Sequence, residues 1–389
     1  MTYFHQMLGA SKNLGGADLI GIHLASFLKD MGQKYCVWIP GKGSALQRVK
    51  QLALKAHEYD ASCAFTDSRL RSVIGNWNIW CNFLLYRPGI IHIHSPYHYR
   101  ALHLGLTGSG LKTIVHVHLQ EAEEGLRWAF KKPPDVIITC ARTLVESVRR
   151  TLPKQYQENQ RIISVPNAID VARFYPGNKA TAKQHVGAPH DTPLVLMVAN
   201  LAPHKGQETA IRATAILKQA GVEITCWLAG VERQSEGRYT AQLHALCNEL
   251  GIAERIHFLG QREDIPDLLR AADILILPST NEGLPLSILE AQATQVPVLA
   301  APTAGIPEVI TDGETGFLIP ADDAVGYAHR IASLLNQPEI HHRVREQAYT
   351  KVIKEHNWRI YCETIWSLYQ SLWDESTHGN ACNVHSRAY

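Results

Sequence analysis

Several absences narrow the field first. No apolar run in this chain of 389 residues approaches the roughly 18 residues that a membrane-spanning helix needs. The eight cysteines, at positions 36, 63, 81, 140, 226, 247, 362 and 382, include no C-x-x-C pair, so neither a zinc ribbon nor a thioredoxin-type motif is present. The N-terminal segment does not read as a signal peptide, and reduced thiols in a cytoplasmic protein are expected. Net charge is small, +2 with a pI near 8.1, without the basic excess of a nucleic-acid binder. No D-x-D cluster offers Mg²⁺ or Mn²⁺ a carboxylate cradle, and no cofactor or metal is expected. No G-x-G-x-x-G follows the first apolar segment, which argues against a dehydrogenase.

What is present is a globular composition, 46% hydrophobic and 19% charged, at a length suited to two α/β domains. Short apolar runs at Thr2 to Leu8, Tyr35 to Ile39, Ile90 to His94, Thr113 to His118 and Val136 to Thr139 alternate with helical patterns, the first from Asp18 to Met31. The rhythm restarts with runs at Pro193 to Val198, Ile224 to Ala229, Ile256 to Leu259, Ile274 to Leu277, Val298 to Ala300 and Phe317 to Ile319. Helices are expected at Gly206 to Ala220 and within Thr240 to Leu250. Strands alternating with helices imply parallel sheets. Turn formers at Val165 to Asp170 and Tyr175 to Asn178 put the domain boundary between about 168 and 190. The expected fold is therefore α/β, with two Rossmann-like doubly wound domains facing across a cleft. Residues 1–175 would form the acceptor-side domain and 190–355 the nucleotide-binding domain. A C-terminal helix over 356–374 would pack back on the first domain, and 375–389 would be a loose tail.

The densest chemical signal follows the run Ile274 to Leu277. Glu282, Gly283, Leu284 and Pro285 form a turn, and a helix continues through Glu290. Pro285 suits a first helical position, free amides at a helix start attract phosphate, and Gly283 lets backbone approach a ligand closely. One carboxylate could take sugar hydroxyls and the other a ribose diol. A capping glutamate ahead of an ordinary helix reads the same residues without any ligand.

Glu282-Gly283-Leu284-Pro285…Glu290 resembles the E-x7-E signature of retaining glycosyltransferases with the GT-B fold, family 4. Companion pieces stand in order across most of the chain: Val165-Pro166-Asn167-Ala168-Ile169-Asp170, Pro203-His204-Lys205-Gly206, Phe258-Leu259-Gly260, Gly305-Ile306-Pro307-Glu308, and Asp312 to Leu318. The resemblance implies transfer of a sugar from a nucleotide-sugar, with UDP donors prominent, to a glycan or lipid-linked acceptor of bacterial surface polysaccharide or lipopolysaccharide, with retention of configuration. It implies an Arg–Lys pair on the diphosphate. Here Lys205 stands at the lysine, but Asn200 takes the arginine's place and carries no charge, so Arg262 and Arg233 are alternative cations. It also places His118 at the donor sugar, although Leu119 follows where the family often has Asp, and gives the first glycine-rich loop, here at Gly16, a role over the phosphates.

The expected catalytic residues are thus His118, Lys205 and Glu282. Gly16, Asn200, Lys205, Arg262, Glu282, Gly283, Leu284 and Glu290 are expected to hold the donor. The pairs His92/His94 and His116/His118 each put two imidazoles on one strand face, which leaves a metal-dependent hydrolase as a rival. A non-catalytic nucleotide-sugar binder is the other, motivated by Asn200. The mixed basic and aromatic stretch Gly125 to Lys132 suits either an ordinary surface helix or a peripheral membrane contact.

Overall fold

The computed structural model describes residues 2–9, 15–59, 69–85, 89–232 and 237–382. Two compact units result: Met1–Pro166 with Arg359–Tyr389, and Asn167–Trp358.

The first unit is built on seven strands: β1 (Tyr3–Met7), β2 (Lys34–Ile39), β3 (Ala56–Glu58), β4 (Gly89–Ile93), β5 (Lys112–Val117), β6 (Val136–Thr139) and β7 (Arg161–Ser164). They pair in parallel in the order β3-β2-β1-β4-β5-β6-β7. Central strands such as β4 are buried along their whole length, as expected of a parallel sheet covered on both faces. The sequence reading misses β3 and β7. Both lie at sheet edges and carry polar residues, Ala56-His57-Glu58 and Arg161…Ser164, so no apolar run marks them.

The second unit holds β8 (Leu194–Val198), β9 (Thr225–Ala229), β10 (Ile256–Gly260), β11 (Ile274–Leu277), β12 (Val298–Ala300) and β13 (Phe317–Leu318). Their order is β10-β9-β8-β11-β12-β13, again with every pairing parallel. Strand order reverses between β8 and β11. In such folds, ligands bind beyond the carboxyl ends of the strands at this reversal.

The division falls at Pro166, inside the first turn-rich stretch and just ahead of the expected boundary between about 168 and 190. Hydrogen bonds explain it. Val165 still donates to Thr139 in the first sheet, whereas Ile169 donates to His356 and accepts from Trp358 in the second unit. The turn-rich residues that follow are also tied to the second unit, since Arg270 donates to the carbonyls of Arg173 and Tyr175. The last helix, Trp358–Cys382, runs beyond the point where its apolar periodicity fades, so residues 375–382 are helical rather than a loose tail. Its Tyr369 is buried against β1 and β4, bonding to Gln6 and His92 and stacking on Phe4.

Candidate active site

The two turns that flank the β8/β11 switch point meet through an ion pair. After β8 the chain passes Asn200 and enters a short 3-10 turn, Pro203–Lys205, then turns at Gly206 into the helix Gln207–Gln219. Gly206 has φ +80°, and a Cβ there would collide with the carbonyl oxygen of Pro278, so only glycine brings the two turns this close. Thr280 donates its amide to the carbonyl of His204, and the Ser279 hydroxyl donates to that of Lys205. These bonds deliver Lys205 Nζ to Oε1 of Glu282 at 2.8 Å. The pair is well shielded, the lysine side chain being 13% exposed and the glutamate's 5%.

The rest of the acidic turn is pinned from several sides. Gly305 donates to the carbonyl of Gly283, Asn167 Nδ2 to that of Leu284, and the Thr303 hydroxyl to that of Ser279. Leu284 is buried. The helix then runs Leu286–Ala293, with Pro285 as its N-cap. That is one residue earlier than its expected place inside the helix, because its ψ of 128° is extended, not helical. Glu290 is half-buried on this helix, and burial pushes its carboxyl up to about 7, with the charge of Arg173 pulling the other way. A carboxyl poised there can donate as well as accept a hydrogen bond near neutral pH.

The other expected cations fare differently. Arg262 is engaged in a bidentate fork with Asp264, so its charge is already met locally. Arg233 lies outside the described residues. Asn200 follows β8 and its carbonyl accepts from Gln207 Nε2. Beside it is a residue that sequence reasoning passed over. Gly230, just past β9, has φ +152°, and a side chain there would strike the carbonyl of Ala199. In sequence, His204 reads only as part of the Pro203 to Gly206 motif, with no role of its own. It neighbours Lys205 and Glu282, and its pKa is lowered, first by burial and then by the lysine.

In the first unit Gly16 opens the helix Gly16–Asp30 and is exposed. The buried Asp18 in that first turn already accepts from the amides of Gly9 and Gly15, so this loop carries an anion of its own. His118 lies just past β5, at the carboxyl end of the sheet where such folds bind ligands. Its Nε2 faces Nδ1 of His94 at 3.1 Å.

His92, His94, His116 and His118 form a stack, with ring centroids 3.9 to 5.5 Å apart between successive neighbours. Burial drives the pKa of all four down, that of His94 to about 3, so the imidazoles are neutral. Nitrogens of His92, His94 and His116 lie within 4.8 Å of one another, which raises the metal question directly. The geometry is poor for a metal. The rings are within 10 to 29° of parallel, so their in-plane lone pairs run side by side instead of converging on one point. His94 also commits both nitrogens, one to His118 and one to Gln6.

The stretch Gly125 to Lys132 overlaps a short surface helix, Glu123–Ala129, with Leu126 and Ala129 buried and Arg127 paired to Glu123. A larger exposed apolar face lies elsewhere, on the helix Arg69–Leu85, through Val73, Ile74, Trp77 and Leu85. No helix among the described residues is long and apolar enough to cross a membrane.

Two doubly wound parallel sheets, one with a shielded lysine–glutamate pair at its switch point, define the class: this is the two-domain α/β fold of GT-B glycosyltransferases. Residues 178–351, most of the second unit, match the family described as glycosyl transferases group 1. The chain is 34% identical over 211 residues to a D-inositol 3-phosphate glycosyltransferase of Acidothermus cellulolyticus, an alignment covering 52% of this chain and 47% of that protein. The chain thus spans about half the length of such relatives. Among solved structures, Anabaena HepE in complex with UDP-glucose superposes with a TM-score of 0.81 at 20% identity, covering 95% of this chain and 100% of that one. Sucrose-phosphate synthase from Thermosynechococcus elongatus gives 0.80 at 19% identity, over 96% and 100%. At such identities the likeness bears on the fold.

Proposed function

We propose that this chain is a glycosyltransferase that takes a sugar from a nucleotide-sugar, a UDP-sugar foremost, and transfers it with retention to a glycan, a lipid-linked glycan or a phosphorylated polyol. The observation that carries this is the 2.8 Å contact between Lys205 and Glu282 across the β8/β11 switch point. Lys205 has three donors and spends one on Glu282, so it can also meet the diphosphate oxygen on which charge grows as the glycosidic bond breaks. Glu282 accepts from sugar hydroxyls, and Glu290 holds the ribose diol. Gly283, Leu284 and the helix starts line the phosphates, with Asn200 as a neutral donor; in the first unit, His118 is read as a sugar-contacting residue and Gly16 as a phosphate-contacting one. Phosphate charge is met by protein groups, with no metal in the reaction.

HepE, solved with UDP-glucose, supports the choice of uracil nucleotide. The names of the relatives support the phosphorylated polyol, whereas a role in lipopolysaccharide rests on the motif resemblance alone. For a lipid-linked acceptor, the exposed face of the helix Arg69–Leu85 is the contact with the bilayer. Protein that stays in the supernatant with anionic vesicles excludes that contact.

A thermal-shift screen of UDP-, GDP- and ADP-sugars, followed by a transfer or donor-hydrolysis assay, tests the proposal. UDP-sugars are expected to raise the melting temperature, and Glu282→Gln to lower turnover strongly with the fold intact. Binding without turnover under any acceptor condition would leave a nucleotide-sugar binder, and no binding of any nucleotide would remove the assignment.

A further inference from the structure

The buried groups of the first unit form one continuous hydrogen-bonded line. His118 Nε2 is 3.1 Å from His94 Nδ1, and His94 Nε2 is 3.0 Å from Gln6 Oε1. Gln6 Nε2 donates to the Tyr369 hydroxyl at 2.8 Å, and that hydroxyl is 2.8 Å from His92 Nδ1. Gln6 and Tyr369 are 363 positions apart in sequence, one on β1 and the other on the C-terminal helix.

We infer that Gln6 and Tyr369 act together as positioning residues that set the tautomer of His118. A neutral imidazole has one N–H and one bare nitrogen. The amide oxygen of Gln6 can only accept, so His94 carries its proton on Nε2. His94 Nδ1 is then bare, and His118 must donate to it from Nε2. On the other side, the amide of Gln6 donates to the Tyr369 oxygen, whose single proton goes to His92 Nδ1, leaving His92 protonated on Nε2. Every bond in the line has the same sense, so all three histidines adopt the Nε2–H form. Rotating the one amide would reverse them all together, because each ring passes the choice to the next. The Nδ1 of His118 is left uncommitted, buried and without a protein partner.

Packing holds the line in place. Gln6 and His92 are fully buried and Tyr369 is 1% exposed. Phe4 stacks on Tyr369, and a side chain at Gly21 would strike the ring of His94. The consequence for chemistry rests on the reading of His118 as a sugar-contacting residue. The tautomer decides whether the uncommitted nitrogen offers a hydroxyl an acceptor or a donor.

Long-range ¹⁵N–¹H correlation on the full chain with labelled histidine, at pH 7.5, tests the inference without reference to activity. His92, His94 and His118 should share one tautomer. Tyr369→Phe and Gln6→Met should each leave His118 a mixture of both forms, with the fold preserved. Differing tautomers among the three rings in the unmodified protein, or a His118 unaffected by both substitutions, would overturn it. Transfer kinetics form the second arm. Tyr369→Phe should lower kcat several-fold, and this loss should vanish in a His118→Ala background. An equal loss in both backgrounds would show Tyr369 to be merely structural. If the protein transfers no sugar at all, the tautomers still decide the inference, while the reading of function fails separately.

Discussion

Acid should unfold the first unit selectively, and the cost can be worked from the histidine stack. His92, His94 and His116 are each no more than 3% exposed, and burial holds all three pKa values below the ordinary 6.5. Below pH 6.5 the unfolded chain takes up protons at these positions that the folded chain refuses. Stability is therefore complete above that pH and falls as the pH drops towards the folded values. At pH 5.5 each ring costs about 1.4 kcal/mol, and the three together about 4 kcal/mol. A domain has only about 5–15 kcal/mol to lose. His98, lowered to about 4, adds to the effect, whereas Glu121, raised by burial, works against it. The second unit has His204, His341 and His356 lowered by burial as well, but carries the opposite sign at Glu290. Its carboxyl is raised to about 7, so lowering the pH relieves its burial. Urea titrations at pH 8 and 5.5, read by hydrogen exchange on peptides from each unit, should show the first unit losing at least about 4 kcal/mol and the second less. His116→Leu, which removes a ring whose two nitrogens have no partner, should recover about 1.4 kcal/mol of the loss. A first unit whose stability is unchanged across this range would refute the reasoning.

Other outcomes follow from the second unit. Gly206→Ala forces a side chain into the Pro278 carbonyl at positive φ and should cost roughly 1–3 kcal/mol in urea unfolding, more than substitution at an exposed helix site. Lys205→Met strands a buried carboxylate and should destabilise by about 3–5 kcal/mol, whereas Lys205→Met with Glu282→Gln should recover most of that; equal instability of single and double variants would mean the pair is not coupled. Transfer activity should survive exhaustive treatment with EDTA, and its loss with recovery on adding a divalent ion would return the stacked histidines to consideration as a metal site.

Much of the site was legible because a parallel sheet sends its functional groups to the turns after its strands. Lys205 and Glu282 each follow an obvious apolar run, so motif order alone brings them to one end of the sheet. The consequence of a shared switch point needed the strand order, which no local pattern encodes. The fork between Arg262 and Asp264 spans only two residues, but in sequence an arginine offers the same charge whether free or paired. The line through Gln6, Tyr369 and the histidines was not legible at all. Its members are separated by most of the chain, and a lone glutamine or tyrosine in an apolar run reads as ordinary core. The exposed face of the helix Arg69–Leu85 was missed for a related reason, since Val73, Ile74 and Trp77 look like core residues until their exposure is known.

The functional reading depends on a sugar diphosphate seating on Lys205. Calorimetric titration of UDP-glucose into the intact chain and into Lys205→Met/Glu282→Gln measures it directly, the second substitution removing the stranded carboxylate as a cause. Loss of a charge-assisted contact of about 1.5–3 kcal/mol predicts affinity weaker by roughly tenfold or more. Equal affinity in the two proteins would place the nucleotide somewhere other than this turn.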